Sequence, residues 1–214
     1  MPKPATTLKT KNALYLWSFI AANWVVFFAI MIAAKLDYTS MNGMWHRIAA
    51  KDGMIAACMP IFTIILNGLL GDQAKARLVF WRWKDPLPGC RVFSELIHAD
   101  PRIDIKRLKE KLGGFPRSAK EQNVAWFQVY KRQAKSVVVN DSHRLYLLTR
   151  DMAALSVVFA IAFPLGAIWS TTSWSLQVGY FIGLLVQFAM ISTSARNYGN
   201  RFALNVLTEE SQAK

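Results

Sequence analysis

The residues best suited to acid–base or metal chemistry lie in the segment HADPRID, which holds His98, Asp100 and Asp104. Imidazole and carboxylate groups bind divalent metals and transfer protons. Asp100, however, precedes a proline as a helix N-cap does, and Asp104 then falls in the first helical turn, where acids are favoured. We therefore expect no metal, no cofactor and no enzyme. A membrane-embedded lipid-modifying enzyme that uses His98 or Asp104 is the remaining catalytic alternative.

A second group of polar residues lies inside long apolar runs. Polar side chains raise the free energy there unless they form hydrogen bonds or contact water. Gln187 and Ser194 are seven residues apart, so a helix places them on one face. They could form interhelical hydrogen bonds or line an aqueous path in an oligomer. A small-xxx-small pattern, Gly179 and Gly183, permits close helix packing. The polar candidates are Asn23, Asn67, Gln187 and Ser194.

A third group consists of cations in the centre of the chain. They could reflect only the charge bias of membrane proteins, or contact anionic lipid headgroups. They could also bind an acidic partner protein or an anionic nucleotide or oligonucleotide. The residues for such an anionic ligand are Arg102, Lys106, Lys109, Arg117, Lys120, Lys131 and Arg132.

Two tryptophans alternate with cations in Trp81, Arg82, Trp83 and Lys84. Tryptophan is enriched at membrane interfaces, and long cationic side chains reach headgroups from the same depth. We interpret the four residues as an interface anchor. The preceding apolar run predicts a helix that continues past Gly71 with no breaker before Asp85-Pro86, so the anchor lies either on a bent helix or on a straight stalk within an oligomer.

Four apolar runs supply the elements that carry these residues. The chain has 214 residues, is 53% hydrophobic and has a formal charge of +13, a combination typical of membrane proteins with basic aqueous segments. The runs contain no charged residue and approach the roughly 20 residues that cross a bilayer. They predict an all-α membrane protein with four transmembrane helices, at 13–34, 54–71, 152–169 and 174–195.

The flanking charges predict the orientation. Residues 72–151 hold 17 Lys and Arg against 9 Asp and Glu, so the positive-inside rule places them in the cytoplasm together with both termini. The domains are then a membrane hairpin at 1–71, a small helical cytoplasmic subdomain at 72–151 between helices 2 and 3, a second hairpin at 152–195 and a cytoplasmic tail at 196–214. The location is the cytoplasmic (inner) membrane.

Local signals predict helix ends within the subdomain. Asp100 is the expected N-cap of a helix that stops at Gly113, and the capping box SAKE starts another at Ser118. Asn140, Asp141 or Ser142 is the expected cap of a helix that leads straight into the third span.

The pattern of four spans, a basic insert of about 80 residues and no enzymatic motif resembles the small multi-pass membrane subunits of bacterial anti-phage defence systems. The resemblance implies a homo-oligomer, with a tetramer as the guess, that is paired with a cytoplasmic sensor and perturbs the membrane. We expect a protein that forms or gates a conductive path in response to a cytoplasmic ligand or partner. The alternative is a non-conducting scaffold that recruits an effector through its basic face.

Overall fold

A computed structural model describes residues 7–35, 61, 63–167 and 174–213, and every regular element among them is helical. The chain divides into two compact units. Unit 1 comprises Met1–Gly71 and Asp151–Met190, and unit 2 comprises Asp72–Arg150 and Ile191–Lys214. The helices are α1 (Leu8–Lys35), α2 (Asp72–Phe80), α3 (Ile105–Leu112), α4 (Ala119–Gln133), α5 (Val137–Ala167) and α6 (Trp174–Gln212).

Three of the described helices are long and apolar enough to cross a membrane. They are α1, α5 and α6, which carry the predicted first, third and fourth spans. This confirms the all-helical architecture and supports a membrane protein. The second predicted span, 54–71, is not one of these three: the structure describes residues 61 and 63–71 of it, of which 61 and 63–69 are helical.

Unit 1 is built around aromatic rings from α1 and α5. Trp24 and Phe27 of α1 lie with their ring centroids 4.6 Å and 4.5 Å from that of Phe163 on α5. Large apolar side chains on the same helices point outward, among them Val25 at 67% and Ile161 at 61% exposure. Water would penalise such a surface, whereas the hydrocarbon core of a bilayer is its natural solvent.

Unit 2 packs α2, α3, α4, the first part of α5 and the last part of α6 around a conventional apolar core. Residues 191–212 of α6 contribute Phe202, Val206 and Leu207 to it, so the predicted tail from residue 196 belongs to this unit. A Cβ on Gly199 would lie 2.7 Å from the ring of Phe80 and 3.0 Å from that of Tyr146. Glycine is therefore required where these rings meet α6.

Two predicted helix ends are confirmed and one is wrong. The Ser118 hydroxyl accepts a hydrogen bond from the Glu121 amide at 3.3 Å, and Gly113 ends α3 in the left-handed conformation, with φ of 68°. The N-cap of α3, however, is Asp104 and not Asp100. Asp100 instead accepts hydrogen bonds from the backbone and guanidinium of Arg102, so it closes the preceding turn and the helix starts four residues later.

The entry to the third span also differs from the prediction. The helix α5 begins at Val137 and runs without a break to Ala167, which confirms that it leads straight into the span. The cap is not Asn140, Asp141 or Ser142, because the Ser136 hydroxyl accepts a hydrogen bond from the Val139 amide at 3.5 Å.

The prediction that one helix continues from the second span to Asp85-Pro86 is wrong as well. The chain leaves the helical conformation at Leu70 and Gly71, and α2 then runs only from Asp72 to Phe80. Glycine is a poor helix former, whereas aspartate is favoured at a helix start. Trp81 adopts a φ of 53°, a left-handed conformation that ends α2 directly before the predicted anchor.

Candidate anion-binding site

The polar residues inside unit 1 bind to one another. The Gln187 amide nitrogen donates hydrogen bonds to Asn23 Oδ1 at 3.1 Å and to Ser156 Oγ at 3.3 Å. Asn23 also donates to the carbonyl of Phe19, and Ser156 donates to that of Met152. The structure thus brings together two predicted residues, Asn23 and Gln187, and adds Ser156. Sequence reasoning missed Ser156 because a single serine in an apolar run gives no pattern.

The other residues predicted within the spans are not among the described hydrogen-bond partners of this cluster. Ser194 is exposed, and Asn67 is half-buried, with no partner for its buried Oδ1 among the described residues. A Cβ built on Gly179 or Gly183 would meet no atom of the described chain within 4 Å. The predicted close helix packing at these glycines is therefore not made within the described part of one chain.

The seven predicted cations fall into three groups: two arginines in ion pairs, four exposed cations, and Lys131, whose ammonium lies 4.8 Å from the Phe127 ring centroid. Arg102 pairs with Asp100 at 2.6 Å, and Arg132 pairs with Glu210 at 2.9 Å, so the charges of these two arginines are largely compensated. The Arg102 guanidinium, moreover, holds the pKa of Asp100 below its ordinary value, chiefly through its hydrogen bond. The exposed cations without a side-chain partner in the described ranges are Lys106, Lys109, Arg117 and Lys120.

Two cations of α3 donate hydrogen bonds to the end of α6, and two others are exposed. Arg107 and Lys111, one turn apart, donate to backbone carbonyls at the end of α6, those of Ala213 at 2.8 Å and Glu210 at 3.0 Å. Cations are favoured there because the helix dipole is negative at its C-terminus. Lys106 and Lys109 are exposed on α3, so they are available to another molecule.

The helix α4 presents one mixed surface, which we call the α4 face: Lys120, Val124, Phe127 and Lys131. The spacings of four, three and four residues place these side chains on one side of the helix. Val124 is 54% exposed and Phe127 is 44% exposed, and the Lys131 ammonium lies 4.8 Å from the Phe127 ring centroid. Buried Gln122 holds a different side of α4 by accepting hydrogen bonds from the Phe93 and Ser94 amides.

A second basic site, the arginine cluster, consists of Arg82, Arg91 and Arg196 with Glu95. One oxygen of Glu95 lies 3.5 Å from Arg82 Nη2 and 3.5 Å from Arg91 Nε. The Arg91 guanidinium lies 5.4 Å from the centroid of the Phe80 ring. The Arg196 guanidinium lies 4.5 Å from the ring of the next residue, Trp81. Three cations therefore lie around two consecutive aromatic rings, and one carboxylate contacts two of them.

Two guanidinium nitrogens of this cluster are buried without a hydrogen-bond acceptor among the described residues, Arg91 Nη1 and Arg196 Nη2. Burial and then the positive charge of Arg82 lower the pKa of Arg91 from its ordinary value, and Arg196 contributes in the same direction. Two neighbouring cations, Arg82 and Arg196, therefore disfavour the charge on Arg91, whereas Glu95 favours it. Such a site attracts an anion.

Sequence reasoning named Arg82 as part of the interface anchor but missed Arg91 and Arg196. The three arginines come from separate segments, so no spacing reveals them. The other anchor residues are all exposed: Trp81 at 58%, Trp83 at 83%, and Lys84. In the described chain the anchor is therefore accessible.

The acidic segment considered for catalysis has local structural roles. Asp104 caps α3 by accepting the Arg107 amide hydrogen bond at 3.0 Å, and Asp100 pairs with Arg102. His98 is exposed. Within the ranges that the structure describes, no three His, Cys, Asp or Glu residues are grouped to hold a metal ion.

No protein-family model, curated protein or solved structure matches this chain. The resemblance to defence subunits therefore stays a prediction, and the residues within each unit are the basis for proposing a function.

Proposed function

We propose that this chain is a membrane-anchored scaffold that recruits an acidic cytoplasmic partner protein through the basic surface of unit 2. The observation that carries the proposal is the α4 face. Its two exposed apolar side chains, Val124 and Phe127, lie between Lys120 and Lys131. This arrangement complements an amphipathic acidic helix, whose apolar side would cover the valine and the phenylalanine and whose carboxylates would meet the lysines.

The charge distribution supports the same function. Unit 2 contains 20 of the 26 Lys and Arg residues and 10 of the 13 Asp and Glu residues, a formal net charge of +10. Lys106, Lys109 and Arg117 are exposed and contribute to the positive charge at the surface of unit 2. Such a positive charge steers anionic partners toward the surface.

We place recruitment ahead of the conductive path, which the sequence favoured, because of Gln187. This side chain was the main candidate for a pore lining, but Asn23 and Ser156 occupy its amide nitrogen. A polar group that is satisfied inside one chain stabilises helix packing and does not need water.

The test uses full-length protein in nanodiscs and a synthetic helical peptide with leucines on one side and glutamates elsewhere. Fluorescence anisotropy should show peptide binding that weakens about 10-fold or more in Phe127→Ser and in the pair Lys120→Gln/Lys131→Gln. The pair Arg77→Gln/Lys135→Gln changes the charge equally at exposed positions outside the face and should have a smaller effect. Equal losses in the two pairs, or equally tight binding of oligothymidylate, would reject the proposal.

A homo-oligomer that conducts is the second candidate, and one observation favours it. Gly179 and Gly183 leave part of α6 open in the single chain, so a second copy could approach closely there. Gly183→Leu should then dissociate the oligomer in detergent and abolish any ion leak from proteoliposomes. A monomeric wild-type protein that causes no leak would eliminate this candidate.

A further inference from the structure

We propose that the arginine cluster of Arg82, Arg91 and Arg196 binds a phosphate group, and that Glu95 occupies part of this site until the phosphate enters. The site is separate from the α4 face, so this proposal does not depend on partner recruitment.

Charge and hydrogen bonding are only partly balanced within the arginine cluster. The single carboxylate of Glu95 contacts two of the three arginines, and both contacts are as long as 3.5 Å. Ion pairs with good geometry are markedly shorter, at about 2.7–2.9 Å. Glu95 therefore satisfies the cluster poorly, and two buried guanidinium nitrogens, on Arg91 and Arg196, have no acceptor in the described part of the chain.

The chemistry of the guanidinium groups indicates which kind of anion fits the cluster. Guanidinium groups present planar, paired donors, which match the oxygens of phosphate better than a lysine does. A phosphate carries several acceptor oxygens on one centre, so it can bridge donors from several arginines. A second carboxylate beside Glu95 would offer only two oxygens in one plane, so phosphate is the better match.

The cluster is held in place and has an open side. Arg91 is 92% buried as a residue, its exposed fraction being 8%, and Arg196 Nε donates to the Val79 carbonyl at 3.3 Å. The side chains of Arg82 and Glu95 are 49% and 52% exposed. A phosphate can thus approach beside Arg82 and replace Glu95, while the two other arginines remain positioned.

The strained backbone at Trp81 belongs to the same site. A bulky residue with φ near 53° is uncommon because this backbone conformation is strained, and such strain concentrates at functional sites. Here the turn directs the indole ring against the Arg196 guanidinium at 4.5 Å. Cation–π contact with tryptophan leaves the edge of the guanidinium available for an anion.

The phosphate could belong to a lipid headgroup or to a soluble molecule. Arg196 follows the fourth predicted span by one residue, and Trp83 is 83% exposed beside Arg82, as expected at a membrane interface. The experiment therefore has two arms. Native mass spectrometry of the full-length protein is performed from micelles that contain phosphatidic acid, and separately with inorganic pyrophosphate.

The proposal predicts one retained phosphate compound per chain in at least one arm. Arg82→Gln and Arg91→Gln should reduce its affinity about 10-fold or more, and Glu95→Gln should increase it. Lys106→Gln, which removes an exposed charge on α3, is the matched control and should change little. Retention of phosphatidic acid alone identifies a headgroup site, and retention of pyrophosphate identifies a site open to soluble phosphates.

Three results would overturn the proposal: no retention in either arm, equal losses in Arg82→Gln and Lys106→Gln, or weaker binding in Glu95→Gln. Because buried Arg91 could also be needed for folding, the thermal midpoint of each variant is measured in the same detergent. The exposed positions Arg82 and Glu95 keep the test decisive if Arg91→Gln does not fold.

Discussion

The two units place apolar and polar groups in opposite ways. In unit 1 the polar side chains of Asn23, Ser156 and Gln187 turn toward one another, whereas large apolar side chains such as Val25 and Ile161 face outward. In unit 2 apolar side chains such as Phe202 and Leu207 form the core, and exposed cations such as Lys106 and Lys109 are outside. Each arrangement suits a different solvent: lipid for unit 1 and water for unit 2.

The two units also differ in how much space surrounds their glycines. Gly183 on α6 has open space around the position of a Cβ, whereas Gly199 on the same helix has ring atoms at 2.7 Å and 3.0 Å. Packing in unit 2 therefore leaves little room for a side chain at Gly199, whereas unit 1 leaves room for one at Gly183. Single substitutions at these glycines, in the buried rings and in the polar cluster can therefore test how the two units differ.

The largest expected effect is on the ring core of unit 1. Phe159 is fully buried and contacts the rings of Phe19, Trp24 and Phe163. Phe159→Ala should lower the free energy of unfolding by about 3–5 kcal/mol, because it leaves a cavity. Thermal unfolding in detergent micelles, followed by circular dichroism, measures the loss. Ile161→Ala, two residues further along α5 and 61% exposed, should cost less than about 1 kcal/mol; similar losses for both would show that the outward face is wrongly assigned.

The glycine contrast predicts effects of opposite sign. Gly199→Ala should destabilise the protein by about 1–2 kcal/mol, because the added methyl group meets the Phe80 and Tyr146 rings and this outweighs the gain in helix propensity. Gly183→Ala adds the same methyl group in open space and should stabilise by up to about 1 kcal/mol. The same unfolding assay compares the two variants. A loss of stability in Gly183→Ala would show that a second copy packs against that face.

The polar cluster of unit 1 should contribute a moderate pairwise energy. Asn23→Ala, Gln187→Ala and the double variant form a thermodynamic cycle, for which we expect a coupling of about 0.5–2 kcal/mol, as for other interhelical hydrogen bonds in membrane proteins. Chemical unfolding in mixed micelles gives the three free energies. Ser194→Ala, at an exposed position on the same helix, should show no coupling to Asn23→Ala, and a coupling near zero for Gln187 would reject the packing role.

The smallest effect is a pH dependence in unit 2. Because the pKa of Asp100 is depressed by Arg102, Asp100 binds a proton more readily in the unfolded chain, where its pKa is about 3.9. Its stabilisation is therefore present above about pH 4 and is lost as the pH falls through the folded-state value. Since the Arg102 side chain is 50% exposed, the contribution should be below about 1 kcal/mol. Asp100→Asn should flatten this part of the stability curve between pH 5 and pH 2, and an unchanged slope would contradict the assignment.

The sequence predicted the features of the fold that depend on local signals. Apolar length alone indicated the spans carried by α1, α5 and α6, and the caps at Ser118 and Gly113 followed from residues within one turn. Asp100 and Asp104 are both plausible caps of α3, and the choice depends on a side-chain pair with Arg102 that spacing does not reveal. The left-handed turn at Trp81 was likewise unpredictable, because tryptophan rarely adopts it.

The sites were predicted less completely because they combine distant segments. Asn23 and Gln187 were recognised as candidates for interhelical hydrogen bonds, but their contact joins residues 164 positions apart. Arg91 and Arg196 have no sequence pattern in common and meet Arg82 only through the fold. Of the seven predicted cations, the structure alone distinguishes compensated ones such as Arg132 from exposed ones such as Lys120.

The most direct test of the scaffold proposal measures recruitment and ion leak on the same proteoliposomes. We expect the acidic amphipathic peptide to bind the wild-type protein and not the variant Lys120→Gln/Phe127→Ser/Lys131→Gln, while a potassium gradient persists with and without peptide. A leak that appears when the peptide binds and disappears in Gln187→Leu would contradict it, because the polar cluster of unit 1 would then serve conduction and not packing.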